Sequence, residues 1–165
     1  MSTMRSRMRQ IVDWAAALWA GVISGIAFLL VASLLSFLYL GSPWPPLRWL
    51  ASIVMGAGVL PPPAAPTALV ALVGAATLIV LAVGYACLIA YVLHRWGMIV
   101  GILGGAAFGV AFYLINFHAV SYFFPWFFPL RSWIMLVSHM VFGACAGGIY
   151  EALEEERFVP EAGRE

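Results

Sequence analysis

The spacing of the charged residues constrains this chain more than any other feature of its sequence. Only 15 of the 165 residues are charged, as eight arginines and seven acidic residues. Between Asp13 and Glu151 the charged residues are Arg48, Arg95 and Arg131. They separate uncharged runs of 34, 46, 35 and 19 residues, at positions 14–47, 49–94, 96–130 and 132–150. A helix of about 20 apolar residues crosses the hydrocarbon core of a bilayer, so each run is long enough to hold a membrane span.

The composition indicates the class of protein. Hydrophobic residues make up 64% of the chain and charged residues 9%, whereas soluble domains are about half apolar and a quarter charged. This balance excludes a nucleic-acid binder and a disordered chain. With only two cysteines, it also excludes a secreted disulfide scaffold. The sequence therefore predicts an all-α integral membrane protein with a single membrane domain over residues 1–165.

The apolar runs predict four transmembrane helices, joined by short loops and flanked by two tails. A further apolar piece at 49–60 is too short to span, so we expect a short helix there that is interfacial or re-entrant. The prolines at positions 61–63 and 66 separate it from the second span. The predicted spans are about 14–40, 67–93, 97–117 and 133–150, with tails at 1–12 and 152–165.

The distribution of arginine predicts the orientation of the chain. If both termini are cytoplasmic, the inner segments carry six arginines and the outer segments carry Arg48 and Arg131. Arginine and lysine are enriched on the cytoplasmic side of membranes, so we expect the N-terminus and the C-terminus inside. The last 15 residues hold six glutamates and two arginines, and we expect this tail to be solvated.

The two predicted outer loops resemble each other and suggest an internal repeat. The first reads PWPPLRW at 43–49 and the second PWFFPLRSW at 125–133. Upstream of them, Gly21 and Gly25 match Gly105 and Gly109 at an offset of 84 residues. We interpret the four spans as two helical hairpins related by an axis along the membrane normal, which would give a compact pseudo-symmetric bundle.

Glycines at intervals of four residues predict close contacts between helices. Four residues turn a helix by a little more than one full turn, so such glycines share one face. Small residues on a shared face let two helix backbones approach closely in the membrane. We expect Gly143 to face Gly105 and Gly109. The predicted packing glycines are Gly21, Gly25, Gly97, Gly101, Gly105, Gly109, Gly143 and Gly147.

His139 is the only ionisable side chain well inside a predicted span, and such residues are candidates for function. We interpret it as a neutral histidine that hydrogen-bonds to Tyr113 or Asn116 across the helix pair, with no cofactor. Two alternatives stay open. His139 could ligate a haem together with His118, or it could bind copper together with a nearby methionine.

Aromatic and arginine side chains mark the outer face. Trp44, Arg48, Trp126 and Arg131 are predicted to anchor the two outer loops in the headgroup region, where tryptophan is enriched. We interpret the dense aromatic loop at 123–128 as part of an interfacial belt. The alternative is a docking surface, or a site for a lipid or a quinone-like molecule.

Four segments of the chain resemble a family of small bacterial inner-membrane proteins. They are SPWPP at 42–46, ASIVMGAGVLPPPA at 51–64, YLINF at 113–117 and FPWF at 124–127. Members are often labelled automatically as sodium:proline symporters, although symporters of that class have many more spans than four. The resemblance implies a location in the bacterial inner membrane and a characteristic outer-face feature formed by residues 55–64 and 116–126. It implies no catalytic residues.

Three hypotheses for function follow. The first is a non-catalytic accessory or structural subunit of a larger membrane complex, for example a respiratory one, because the chain offers much helix-contact surface and no catalytic motif. Its partners would be the lipid bilayer and other membrane subunits or further copies of itself, and not nucleic acid. The second is a small homo-oligomeric transporter or channel. The third is a haem-binding electron carrier.

Overall fold

The computed structural model describes residues 8–60, 67–155 and 157–160. These residues form five α-helices, and four helical segments are long and apolar enough to cross a membrane. The prediction of an all-α, four-span membrane protein is therefore confirmed. The proline run at 61–66 lies outside the described residues. The helices are α1 Trp14–Leu40, α2 Pro45–Met55, α3 Ala68–Leu93, α4 Gly97–Leu114 and α5 Trp133–Leu153.

Three of the long helices begin at a side chain that caps the helix. Asp13 accepts hydrogen bonds from the backbone N–H groups of Ala15 and Ala16 at the start of α1. Thr67 and Ser132 cap α3 and α5 in the same way. Such side chains satisfy backbone donors that have no partner within the helix, which matters most where water is scarce. α5 continues to Leu153, three residues beyond the predicted end of the fourth span.

The short helix α2 begins earlier than the predicted 49–60. It starts at Pro45. Proline fits the first turn of a helix, because an N–H group at that position would have no hydrogen-bond partner within the helix. It ends at Met55, because Gly56 follows with a φ of 80°. The backbone of Leu47 lies directly against Gly74 of α3. α2 is thus packed onto the outer part of α3, and Gly74 is a packing glycine that the sequence analysis missed.

The third span does not run as one regular helix to residue 117. α4 ends at Leu114 and continues as a π-helical turn, Ile115–Ala119, and a short 3-10 turn, Val120–Tyr122. A π-helical turn is wider than an α-helical one and is frequent at functional sites. A second 3-10 segment, Pro125–Leu130, then leads toward α5.

α5 is the central helix of the bundle, and it packs against α1, α3 and α4. At the α4–α5 contact, Gly143 lies against the backbones of Gly105 and Gly109, and Gly147 lies against the backbone of Gly101. The backbones of these two helices therefore touch directly, as small residues at such spacing allow.

Two predicted packing glycines on α1 contact a different helix. Gly21 lies against Val83 and Gly25 lies against Ala82, both on α3. Gly97 behaves differently from the other glycines. It has a φ of 76° and no neighbouring atom within 4 Å of the position a Cβ would take. It serves the turn between α3 and α4, so its predicted role in helix packing is wrong.

The two hairpins do not form the compact pseudo-symmetric bundle that the repeat predicts. A two-fold axis would make the α3–α4 contact equivalent to the α1–α5 contact. Instead α1 and α5 pack extensively, whereas α3 and α4 touch little. Their contacts include Leu93 with Gly104 near the connecting turn, and a stack of Tyr85 on Phe112 with ring centroids 4.1 Å apart. Toward the outer end, side chains of α2, α3 and the outer loop line a shared cavity.

At the inner end the two chain termini are joined. Met8–Ile11 (β1) pairs antiparallel with Arg157–Pro160 (β2). The Tyr150 side chain, only 1% exposed, accepts a hydrogen bond from the backbone N–H of Asp13. The backbone of residues 157–160 therefore forms a small sheet, and solvation of this tail stays a prediction. The two strands next to the termini therefore lie at the same end of the bundle.

Exposed aromatic side chains mark two levels along the bundle. One group lies near the joined termini and the other near the outer loops, and this is the distribution expected for the two interfacial belts of a membrane protein. The inner group contains Trp14, Tyr91 and Trp96, and the outer group contains Tyr39, Trp44 and Trp133.

The α4–α5 contact predicts a strong effect of one added methyl group. In Gly143→Ala the new Cβ would meet the backbone of Gly105, and the two helices would have to separate. We expect a loss of about 1–3 kcal/mol in the free energy of unfolding, as is typical of overpacking. Gly84→Ala is the matched control, because nothing lies within 4 Å of that position.

Thermal unfolding of both variants in mild detergent measures the difference. The expected result is a clear loss of stability for Gly143→Ala and no loss for Gly84→Ala. Equal stabilities of the two variants would contradict the direct contact between helix backbones.

Candidate functional site

A cavity of about 310 Å³ lies in the predicted outer half of the bundle, lined by residues of α1, α2, α3, α5 and the segment that follows α4. Its volume falls at the lower end of the roughly 300–1,000 Å³ typical of small-molecule sites. Seventeen described residues line it, and none of them carries a formal charge when histidine is neutral. The walls are formed largely by apolar side chains, among them Trp49, Leu50, Ile53, Leu78, Leu81 and Val120.

Three polar side chains from three different segments meet at the wall of this cavity. The Tyr85 hydroxyl of α3 donates a hydrogen bond to Oδ1 of Asn116, at 2.6 Å. Nδ2 of Asn116 lies 3.3 Å from Nε2 of His139 on α5. Nδ1 of His139 lies 2.7 Å from the carbonyl oxygen of Met135, one turn earlier on α5. The three side chains form one connected network.

The geometry of the network assigns the protonation of His139. A carbonyl oxygen only accepts, so Nδ1 of His139 carries the hydrogen that is shared with Met135. The amide nitrogen of Asn116 only donates, so Nε2 of His139 accepts and carries no hydrogen. The imidazole is then neutral, and the network of Tyr85, Asn116 and His139 has no net charge. A neutral network suits a buried site, where an unpaired charge would be strongly destabilising.

Aromatic rings enclose the His139 ring. The Phe28 ring meets it edge to face with centroids 5.0 Å apart, and the Phe117 and Tyr113 rings lie 5.8 and 5.9 Å away. Of the two predicted hydrogen-bond partners, Asn116 therefore bonds to His139. Tyr113 contacts it through its ring, and none of the described hydrogen bonds joins these two residues.

His118 and His139 do not face a shared space that could hold a haem. His118 is exposed and does not line the cavity, whereas His139 is buried and uses both ring nitrogens within the protein. In the described part of the chain, no three side chains of histidine, cysteine, aspartate or glutamate form a group that could hold a metal ion.

The four predicted outer anchors have different environments. Trp44 is exposed. The indole N–H of Trp126 donates to the Ser52 hydroxyl at 3.1 Å and so ties the outer loop to α2. Arg131 turns inward as well. Its Nε donates to the carbonyl oxygen of Phe117 at 2.6 Å.

Arg131 makes two further contacts within the outer loop. Its Nη2 donates to the Ser121 hydroxyl at 3.0 Å, and its guanidinium stacks 3.7 Å from the centre of the Phe128 ring. Arg131 therefore holds the π-helical turn that carries Asn116. Its predicted role as an outer-face anchor in the headgroup region stays a prediction. Arg48 lies within α2, whereas Arg131 lies in the loop before α5, so the two arginines are not equivalent in structure.

Tyr85 is the site residue that the sequence analysis missed. It lies in the middle of a long apolar helix, and a buried tyrosine hydroxyl usually finds a hydrogen-bond partner. Its spacing of three from Ala82 and of four from Ile89, both buried, places it on the inward face of α3. A tyrosine on the inward face of an apolar helix was therefore a usable sequence signal for a buried polar site.

No protein-family profile matches the chain, and no curated protein and no solved structure matches it either. The resemblance to the small inner-membrane family therefore stays a prediction.

Proposed function

We propose that this chain is a non-catalytic membrane protein that holds a small apolar molecule between its helices, as an accessory subunit of a larger membrane assembly. The proposal places it in the bacterial inner membrane with both termini in the cytoplasm. The observation that supports the proposal is the cavity between α2, α3 and α5, with the connected polar network on one of its walls.

A cavity of this kind favours an apolar guest. Protein interiors are packed so closely that voids larger than a water molecule are few. Cavities with apolar walls stay dry and take up apolar molecules. Here most of the hydrogen-bonding positions on the wall are engaged with one another. The surroundings favour a ligand that is mostly hydrocarbon and enters from the membrane.

The outer loop supports the role of a subunit. Tyr122 and Phe123 are 87% and 77% exposed. They belong to a segment that Arg131 fixes through Phe117 and Ser121. Exposed aromatic side chains on a rigid segment are typical of residues that contribute most to protein–protein binding. We therefore assign the partner contact to this loop.

Filling the cavity should expel the bound molecule. Leu81 lines the cavity, whereas the adjacent Val80 is 72% exposed on the outside of α3. In Leu81→Trp the larger side chain occupies space that the ligand needs, and in Val80→Trp it does not. We expect protein purified in mild detergent to carry a stoichiometric apolar molecule, which Leu81→Trp loses and Val80→Trp keeps.

Native mass spectrometry, followed by extraction of the bound lipid fraction, measures this loading. Wild-type protein that carries no bound molecule would contradict the proposal. So would a Leu81→Trp variant that is loaded as fully as Val80→Trp.

The contact with a partner is tested by affinity purification. Tagged protein should co-purify with other membrane proteins in a fixed ratio, and the double variant Tyr122→Ala with Phe123→Ala should lose them because the aromatic contact is removed. Trp19→Ala is a matched control, since Trp19 is also an exposed aromatic residue but lies near the opposite end of α1. Recovery of the wild-type chain only as a monomer or homo-oligomer would overturn the assignment as an accessory subunit.

A further inference from the structure

The polar network on the cavity wall is complete except for two positions. The Asn116 amide nitrogen has two hydrogens, and the described hydrogen bonds use one of them, toward His139. The Tyr85 oxygen donates to Asn116 and keeps the ability to accept. Both residues line the cavity. The site therefore offers one N–H donor and one hydroxyl acceptor to a guest.

The absence of charge restricts the guest to a neutral molecule. The imidazole of His139 is neutral, and no lining residue is an arginine, a lysine or an acid. An anion or a cation placed here would lose its hydration without gaining a partner of opposite charge, which is strongly unfavourable. This excludes the phosphate of a phospholipid and the carboxylate of a fatty acid from the inner wall of the cavity.

The depth of the network in the membrane determines which end of the guest can reach it. His139 is six residues along α5 from Trp133 at its outer end, which corresponds to about 9 Å of helix rise. The free donor of Asn116 is therefore below the headgroup level. A phospholipid keeps its oxygen atoms near the headgroups and would present only methylene groups to this donor. The guest that fits carries its oxygen at the deep end.

The shape of the walls favours a flat ring. Seven of the seventeen lining residues are aromatic. The Phe117 ring meets the Phe127 ring at 69° and the His139 ring at 82°. Aromatic faces and edges set at such angles bind a planar conjugated ring better than a flexible chain, because offset and edge-to-face contacts both become available.

We propose that the guest is a neutral ring ketone of the quinone class with an apolar tail. One ring carbonyl accepts the free N–H of Asn116, the ring lies among Phe117, Phe127 and Trp49, and the tail extends into the lipid. This inference rests on the proposed function, because it names the ligand of the cavity that the proposed function assigns.

Two matched probes distinguish the contribution of the ring oxygen to binding from the contribution of the hydrocarbon. One is a decyl-substituted benzoquinone and the other is decylbenzene, which has the same tail and a ring without oxygen. The measurement is the rise in Tm of the purified protein as each probe is titrated, since a ligand that binds the folded state raises Tm. We expect the quinone to bind about fivefold more tightly, as one additional hydrogen bond predicts.

Variants of the network locate the hydrogen bond. Asn116→Leu removes the donor and should abolish the preference for the quinone, while decylbenzene binds as before. Thr77→Val is the control on α3, because it removes a hydroxyl that donates to the carbonyl oxygen of Val73 and does not line the cavity, so it should keep the preference. If Asn116→Leu does not fold, the comparison of the two probes on the wild-type protein still shows whether the site prefers the quinone.

The possible outcomes separate the two proposals. A preference for the quinone that depends on Asn116 supports both. Equal affinity for the two probes overturns the quinone assignment and leaves an apolar ligand site in place. No stabilisation by either probe, together with wild-type protein that is purified without a bound molecule, overturns the proposed function as well.

Discussion

Direct contact between the backbones of α4 and α5 is the interaction on which the other features depend. Gly143 and Gly147 lie against Gly101, Gly105 and Gly109 with no side chain between them. Because α4 and α5 approach so closely, the remaining faces of α5 are available to α1 and α3, and α5 becomes the central helix. Helices in lipid gain little from hydrophobic burial against one another, so close packing of small residues supplies much of their attraction.

The bilayer imposes a second constraint, since polar groups inside it must find partners within the protein. The hydroxyl groups of Ser24 and Ser138 find their partners locally, by donating to carbonyl oxygens of their own helices. Tyr85, Asn116 and His139 solve it across three segments that are distant in sequence. The network thereby links α3, α5 and the turn after α4 on the side where α3 and α4 touch little. It also gives an otherwise apolar cavity one polar wall, and small-molecule sites commonly combine apolar walls with a few polar groups.

The spans could be predicted from sequence because membrane thickness fixes both the length and the polarity of a helix that crosses it. The glycine contact of α4 with α5 could also be predicted, since it depends on helical periodicity alone. The start of α2 was missed because Pro45 and Pro46 were read as loop residues although proline fits a first helical turn. The π-helical turn at Ile115–Ala119 and the inward direction of Arg131 depend on each other through the carbonyl of Phe117. Neither has a local sequence pattern, so they follow only from tertiary contacts. Asn116 was one of the two predicted partners of His139, whereas Tyr85 was overlooked although its position on the inward face of α3 was a usable signal.

The most direct test of the connected, neutral network is ¹⁵N NMR of protein with labelled histidines in lipid bilayers. The resonances of His139 can be assigned by comparison with a His139→Phe variant, since His94 and His118 are the other histidines. The predicted result at neutral pH is a hydrogen on Nδ1 and a bare Nε2 that accepts from Asn116. A His139 ring protonated on both nitrogens, or on Nε2 alone, would show that the network of Tyr85, Asn116 and His139 is not formed as described.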